Sequence, residues 1–276
     1  MRRLLSSETR AANPVGGLRS RLFAASMLLF VGLFTLCWVA LLAADVSYTN
    51  SRAFVEVLTA PETRAALWLS LWTSALSVVI GLVFAVPMGY ALSRYRFPGH
   101  ALVDSIVDLP ILLPPLIVGL SLLVFFRTGV GQFIEGTGLR FVFQRRGIVL
   151  CQFLVSASFG IRAMKLCFDG IDVRLEHVAM TLGATRAGAF WRVALPLARR
   201  GIVAGGILIW TRAFGLFGPL MIFVGSVRKK TEVLPTMIYL EQSVGRLEVA
   251  LAVALLMVAL ATVALVGVRL LIARER

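Results

Sequence analysis

The chain has 276 residues, 59% of them apolar, a mean hydropathy of +0.89 and a formal net charge of +14. Soluble domains average about 45–50% apolar residues. Here the excess is gathered into runs long enough to cross a bilayer as helix, about 20 residues each, and short alternating segments of the outer-membrane barrel type are absent.

The charge is carried by 25 arginines and 3 lysines, most of which flank the apolar runs, with Arg162, Lys165 and Arg212 inside them. That is the pattern of membrane topology, and it argues against a nucleic-acid partner. Cys37, Cys151 and Cys167 form no CxxC pair, so neither a disulfide framework nor a zinc site is implied. His100 and His177 are the only histidines, which leaves histidine-based catalysis little to work with. No catalytic residue and no metal site is expected.

Residues 1–21 hold five arginines together with Pro14, Gly16 and Gly17, and read as a basic cytoplasmic tail. The run 22–44 is uncharged and too long for a signal-peptide core of about 7–15 residues; it reads as a retained first helix, with an outside loop to residue 64. Further spans are expected at about 65–93, 101–126, 147–168, 201–225 and 247–272, with 273–276 as a cytoplasmic end. The fold class is thus all-α, a polytopic membrane protein of about six helices. With the N-terminus inside, inside segments hold 15 Lys and Arg and outside segments 10, so both termini are expected in the cytoplasm.

The third span contains Pro110, Pro114 and Pro115. Each lacks an N–H and clashes with the carbonyl four residues back. Either a kinked packing helix or a broken segment lining a pathway follows, shielded by protein or water.

The longest inside loop, 169–200, places Leu175, Val178, Ala179 and Leu182 at i, i+3, i+4 and i+7, one apolar helix face. Asp172 is its expected N-cap and Gly183 its stop. A second short helix is expected at about 185–192, ended by Pro196. On period alone this could be a surface helix lying on lipid headgroups. Gly183 and Gly188 have phosphate-loop spacing, but Ala189 stands where that motif needs lysine and no strand precedes it.

The stretch LEHVAMTLGATRAGAFWRVALPLARRGI resembles the cytoplasmic loop of binding-protein-dependent ABC importer permeases, whose motif is E-A-A, three residues, G, nine residues, I-x-L-P. His177, Val178 and Ala179 occupy the E-A-A positions, with Glu176 just before them. Gly183 is the glycine, and Val193, Ala194, Leu195 and Pro196 occupy I-x-L-P. The resemblance implies that Glu176, His177, Val178, Ala179, Gly183, Leu195 and Pro196 dock on an ATPase subunit. His177 and Val178 depart from the motif and put the docking chemistry in question. SRYRFPGHALVDSIVDLPILLPPLIVGL, TRAFGLFGPLMIFVG and KTEVLPTMIYLE are similar to stretches of sulfate- and molybdate-type permeases, although Leu216 stands where glutamate is usual. The resemblance covers about residue 65 to the end, the permease core being 65–272.

Ionisable residues inside a span are functional candidates by default. Arg212 lies about 12 residues into the fifth span, roughly 18 Å deep, and Arg162 lies in the fourth. Asp104 and Asp108 are one turn apart in the third. They could pair with Arg162 or Arg212, or Arg212 could offer an anion a transient partner. With Pro114 and Pro115 these are the pathway or pairing candidates. Gly201 and Gly205 are spaced to let helices approach closely.

The family resemblance implies a permease for a tetrahedral oxyanion such as molybdate, sulfate or tungstate. It implies no cofactor on this chain, with ATP and Mg on a partner ATPase. The other partners implied are an extracytoplasmic binding protein, a second permease copy or paralogue and the lipid bilayer, in a bacterial or archaeal cytoplasmic membrane. A permease for polyamine, iron or phosphonate, or a secondary transporter, is the alternative.

Overall fold

The computed structural model describes residues 18–274. Most of the expected basic tail therefore lies outside the described residues, and 18–21 already belong to a helix. The protein divides into two units at Tyr48.

The first unit is one helix, α1 (Leu18–Tyr48). Its membrane-length stretch is apolar on every side and none of it is buried within the chain. A helix apolar all round is one solvated by lipid or by other helices.

The second unit begins with α2 (Ser51–Thr59), capped by the Asn50 side chain, which accepts from Arg52 N at 3.2 Å. Next comes α3 (Pro61–Arg94), which has proline at its start, where a missing N–H costs nothing. Its inward stripe is small: Ser70, Thr73, Ser74, Ser77, Gly81, Ala85 and Gly89 are buried. That stripe lets α7 (Arg145–Asp169) lie close along it. A Cβ on Gly89 would come within 2.6 Å of Met164. The third member of the centre is α10 (Arg199–Phe214), whose Ile209 fills the space left by Gly81 and Gly160. Gln152 ties the three together: it accepts from Ser77 Oγ at 3.1 Å and donates to the Ala213 carbonyl at 3.0 Å. A buried amide is held in place by such partners, because leaving it unpaired costs about 1–3 kcal/mol.

Around this centre run α4 (His100–Leu112), α5 (Pro115–Phe125), α6 (Gly129–Gly136), α8 (Val173–Thr181), α9 (Arg186–Leu197), α11 (Gly218–Phe223), α12 (Leu234–Ser243) and α13 (Leu247–Arg274). Among the described residues four helices are long and apolar enough to cross a membrane, α1, α3, α7 and α13; the count reaches six if the bent pairs α4–α5 and α9–α10 are each one span. The third span is a break, not a kink: α4 and α5 meet at 109°. Leu113 and Pro114 adopt extended backbone between them, the conformation that a following proline favours.

Two expectations need correction. The fifth span is not continuous over 201–225. It stops at Phe214 and restarts at Gly218, because Pro219 cannot supply the N–H that would continue α10. The second helix of the inside loop does not end before Pro196; it runs to Leu197 through a π-helical turn at Phe190–Ala194. The wider turn gives the proline ring room that an α-turn would deny it.

Candidate functional site

Besides the Gln152 network, three polar features stand out. The first is a cleft of about 570 Å³ between the two broken spans. One wall is the α4–α5 break, with Pro110, Pro114 and Pro115; the other is the α10–α11 break, with Arg212 and the backbone from Gly215 to Pro219. The cleft has room for on the order of 20 waters at about 30 Å³ each. Beside the cleft α5 and the start of α11 meet without side chains between them: a Cβ on Gly119 would come within 2.6 Å of the Pro219 backbone. Interrupted helices turn backbone dipoles toward a cavity, which is tolerated at membrane depth only where protein or water surrounds them.

Arg212 opens into this cleft, with its guanidinium 4.3 Å above the Phe159 ring. It does not pair with Asp104 or Asp108. Those belong to Arg162, which donates to Asp104 Oδ1 at 2.6 Å, to the Asp104 carbonyl at 2.8 Å and to both oxygens of Asp108. The candidates thus separate into a closed charge cluster between α4 and α7, and a lone cation in a cleft whose described lining contains no acid. Lys165 is held by Asp169, one turn on, at 3.2 Å.

The second feature is the loop of α8 and α9. Asp172 caps α8, accepting from Arg174 N at 2.9 Å. Gly183 ends it at φ +91°, where a Cβ would be strained. Thr185 then caps α9 through Gly188 N at 3.0 Å. Val178 and Leu182 are 55% and 83% exposed, and His177 and Pro196 are also exposed, so this face is largely uncovered by the described residues. Glu176 points the other way. It is buried, accepting from Arg94 Nε at 2.8 Å and from the Tyr90 hydroxyl at 2.6 Å. Arg94 also donates to the Ile171 carbonyl at 2.9 Å. Ser93 meanwhile donates to Asp169, so the ends of α3, α7 and α8 are knotted together. Sequence reasoning missed this anchor. The available signal was that Arg94 closes an apolar run and Glu176 is one of the few acids on the same side.

The third feature closes the opposite end. Glu241, 2% exposed, takes Arg228 at 2.7 Å and Arg246 at 3.2 Å, and Lys229 takes Glu62 at 2.9 Å. Glu232 beside them is 1% exposed, and neither carboxylate oxygen has a hydrogen-bond partner among the described residues. Burial pushes its pKa up; the Arg228 charge opposes that, while Glu241 and Glu62 add to it. A carboxyl whose folded pKa is raised contributes most below its unfolded value, about 4.3. That contribution is lost as pH rises through the folded value. Glu232→Gln should therefore raise the melting temperature at pH 7, and the gain should shrink toward pH 4. Thermal unfolding of the purified protein across that range checks both, and a gain that is constant with pH would contradict the assignment.

Among the described residues no group of three His, Cys, Asp or Glu is placed to hold a metal.

Residues 77–276 match the family described as binding-protein-dependent transport system inner membrane component. The chain is 38% identical over 213 residues to the molybdenum transport system permease protein ModB of Escherichia coli (strain K12), covering 76% of this chain and 93% of that protein. It is 33% identical over 214 residues to the sulfate transport system permease protein CysT of Salmonella typhimurium, covering 77% of each. Its fold is similar to a chain of a bacterial ABC transporter involved in the import of the acidic polysaccharide alginate. That match has a TM-score of 0.75 at 19% identity and covers 93% of this chain and 96% of that one.

Proposed function

The chain belongs to the family of binding-protein-dependent inner-membrane transport components and is the permease subunit of an ABC importer, and from that premise we propose that its substrate is a tetrahedral oxyanion, molybdate or sulfate. The observation that carries this reading is the cleft between the two broken spans, with Arg212 as its cation and no acid in its described lining. A lone cation in a cleft whose described lining holds no acid favours a small anion and opposes a cation substrate such as a polyamine. The kinship to molybdenum and sulfate permeases points the same way.

In this reading both termini face the cytoplasm and the α8–α9 loop is the coupling element. An ATPase subunit, carrying ATP and Mg, receives the exposed face of His177, Val178 and Leu182, with Gly183 setting the turn and Leu195 and Pro196 joining the loop to α10. Glu176 serves from the inside, fixing the loop to α3 through Arg94. An extracytoplasmic binding protein delivers the anion at the other end, and a second permease copy or paralogue completes the pathway. ATP acts by binding two packings of the assembly unequally.

The test is ATP-driven uptake of labelled molybdate and sulfate into vesicles containing the complete transporter. Arg212→Ala should leave assembly intact and slow uptake about tenfold or more, and Arg212→Lys should restore more than Arg212→Gln. Uptake unaffected by all three changes, or uptake of a cationic solute instead, would refute the oxyanion reading.

A further inference from the structure

At the end of α7 remote from the α8–α9 loop lies a hollow of about 540 Å³ bordered by Arg140, Arg145, Arg146 and Lys230. The ion pairs of this end of the molecule use Arg228, Lys229 and Arg246 and leave these four without a carboxylate partner among the described residues. The acid nearest in sequence to the three arginines, Glu135, is occupied by the backbone N–H groups of Phe141 and Val142, at 3.1 and 3.0 Å, and Glu232, two residues after Lys230, is buried at 1% exposure and forms no ion pair with it among the described residues.

The arrangement is electrostatically unfavourable as it stands. Arg145 and Arg146 open α7, whose first turn holds no acid and whose N-cap residue Gln144 makes no side-chain cap. A helix start carries partial positive charge and favours anions. Two arginines there have the wrong sign unless an anion is also present. Arg145 donates to the Lys230 and Lys229 carbonyls at 3.0 and 3.1 Å and Arg146 donates through one nitrogen to the Gly138 carbonyl at 3.4 Å, which leaves Arg140, the Lys230 ammonium and the remaining N–H groups of Arg146 for a ligand.

Directly beside this hollow is a second of about 290 Å³, and its lining is different. Trp72, Leu76 and Ile80, two turns of α3, face Phe141, Leu150 and Phe153, and Arg146 borders both spaces. The apolar channel follows the first turns of α7, a helix long and apolar enough to span a membrane, and the cationic hollow sits at the start of that helix. We propose that the pair is one binding site for an anionic phospholipid, its phosphate among the four cations and the start of an acyl chain in the cleft. The cations alone would suit any phosphate-like anion; the apolar cleft sharing Arg146 selects an anion with a hydrocarbon tail. Basic residues at the membrane surface attract anionic headgroups, and an aromatic side chain such as Trp72 suits the depth just below them.

The test uses the full transporter in bilayers of phosphatidylcholine with one fifth phosphatidylglycerol, with retained lipid counted by native mass spectrometry. The wild type should retain phosphatidylglycerol well above its bulk share. Arg140→Gln with Arg146→Gln should weaken that retention about thirtyfold, about fivefold for each cation removed from near an anionic surface. Arg140→Lys with Arg146→Lys should keep most of it, which separates loss of charge from loss of fold. Leu76→Trp, filling the cleft and leaving the cations intact, should also abolish the excess, and added sulfate should not displace the lipid. Retention at the bulk share in the wild type would overturn the proposal. So would displacement by sulfate with Leu76→Trp behaving as wild type, the result for a free-anion site. Loss of the extracytoplasmic binding protein with lipid retention unchanged would also overturn it and mark the face as a protein contact.

Discussion

Arg94→Ala should release the α8–α9 loop and abolish ATP-driven uptake while leaving membrane insertion at the wild-type level. The Arg94 and Glu176 side chains are 8% and 6% exposed, so the substitution leaves a carboxylate buried with only the Tyr90 hydroxyl as partner. Breaking a buried pair from one side costs about 3–5 kcal/mol. The cost falls mainly on the loop, because α3 and α7 remain joined along their length. Amide exchange across 173–182 should accelerate by about two to nearly four orders of magnitude, the rate equivalent of that energy. Glu176→Ala should do the same from the other side. The double exchange Arg94→Glu with Glu176→Arg should recover part of the protection, since the partners are retained in reversed order. Unchanged exchange over α8 in Arg94→Ala would show that the loop is held by something other than this pair.

The second large effect is expected at Arg162. It satisfies two carboxylates on successive turns of α4, and its removal strands both within a membrane-spanning segment. An aspartate at the centre of a membrane helix costs about 2.5–3.5 kcal/mol on insertion scales, and less toward the ends. Arg162→Ala should therefore lower the yield of assembled protein sharply. Adding Asp104→Asn and Asp108→Asn should restore much of it, because an amide in lipid is far cheaper than an unpaired charge. The recovered triple variant then separates structure from transport: if the cluster is only a clasp between α4 and α7, uptake returns with assembly. Failure of the triple variant to assemble any better than Arg162→Ala alone would show that the two carboxylates are not what Arg162 balances.

These two sites show where reading the sequence stops, and the spans around them show where it succeeds. The long spans were legible because runs such as 147–168 have no alternative to helix in lipid, and the observed α7 exceeds that range by two residues at one end and one at the other. Asp172 and Gly183 were legible because capping and the left-handed turn are local matters. The chain break at Pro114 was legible as an interruption, since proline chemistry needs no partner to act. Partnership was not legible. Asp104 and Asp108 could have met either Arg162 or Arg212, and only the packing of α4 on α7 decides it. Glu176 and His177 are neighbours in sequence, yet about 100° apart around a helix, so one points to the interior and the other to solvent. The break after Phe214 was hidden because LFGP sits in an uninterrupted apolar run, where hydropathy registers lipid solubility and is blind to a missing N–H.

The backbone contact between Gly119 and Pro219 has a kinematic meaning. Side chains act as springs between moving parts; two backbones in direct contact have none. At this point α5 and the start of α11 therefore cannot move closer together. Relative motion of the two segments at this point is limited to sliding, rotation or separation, because neither can give way to the other.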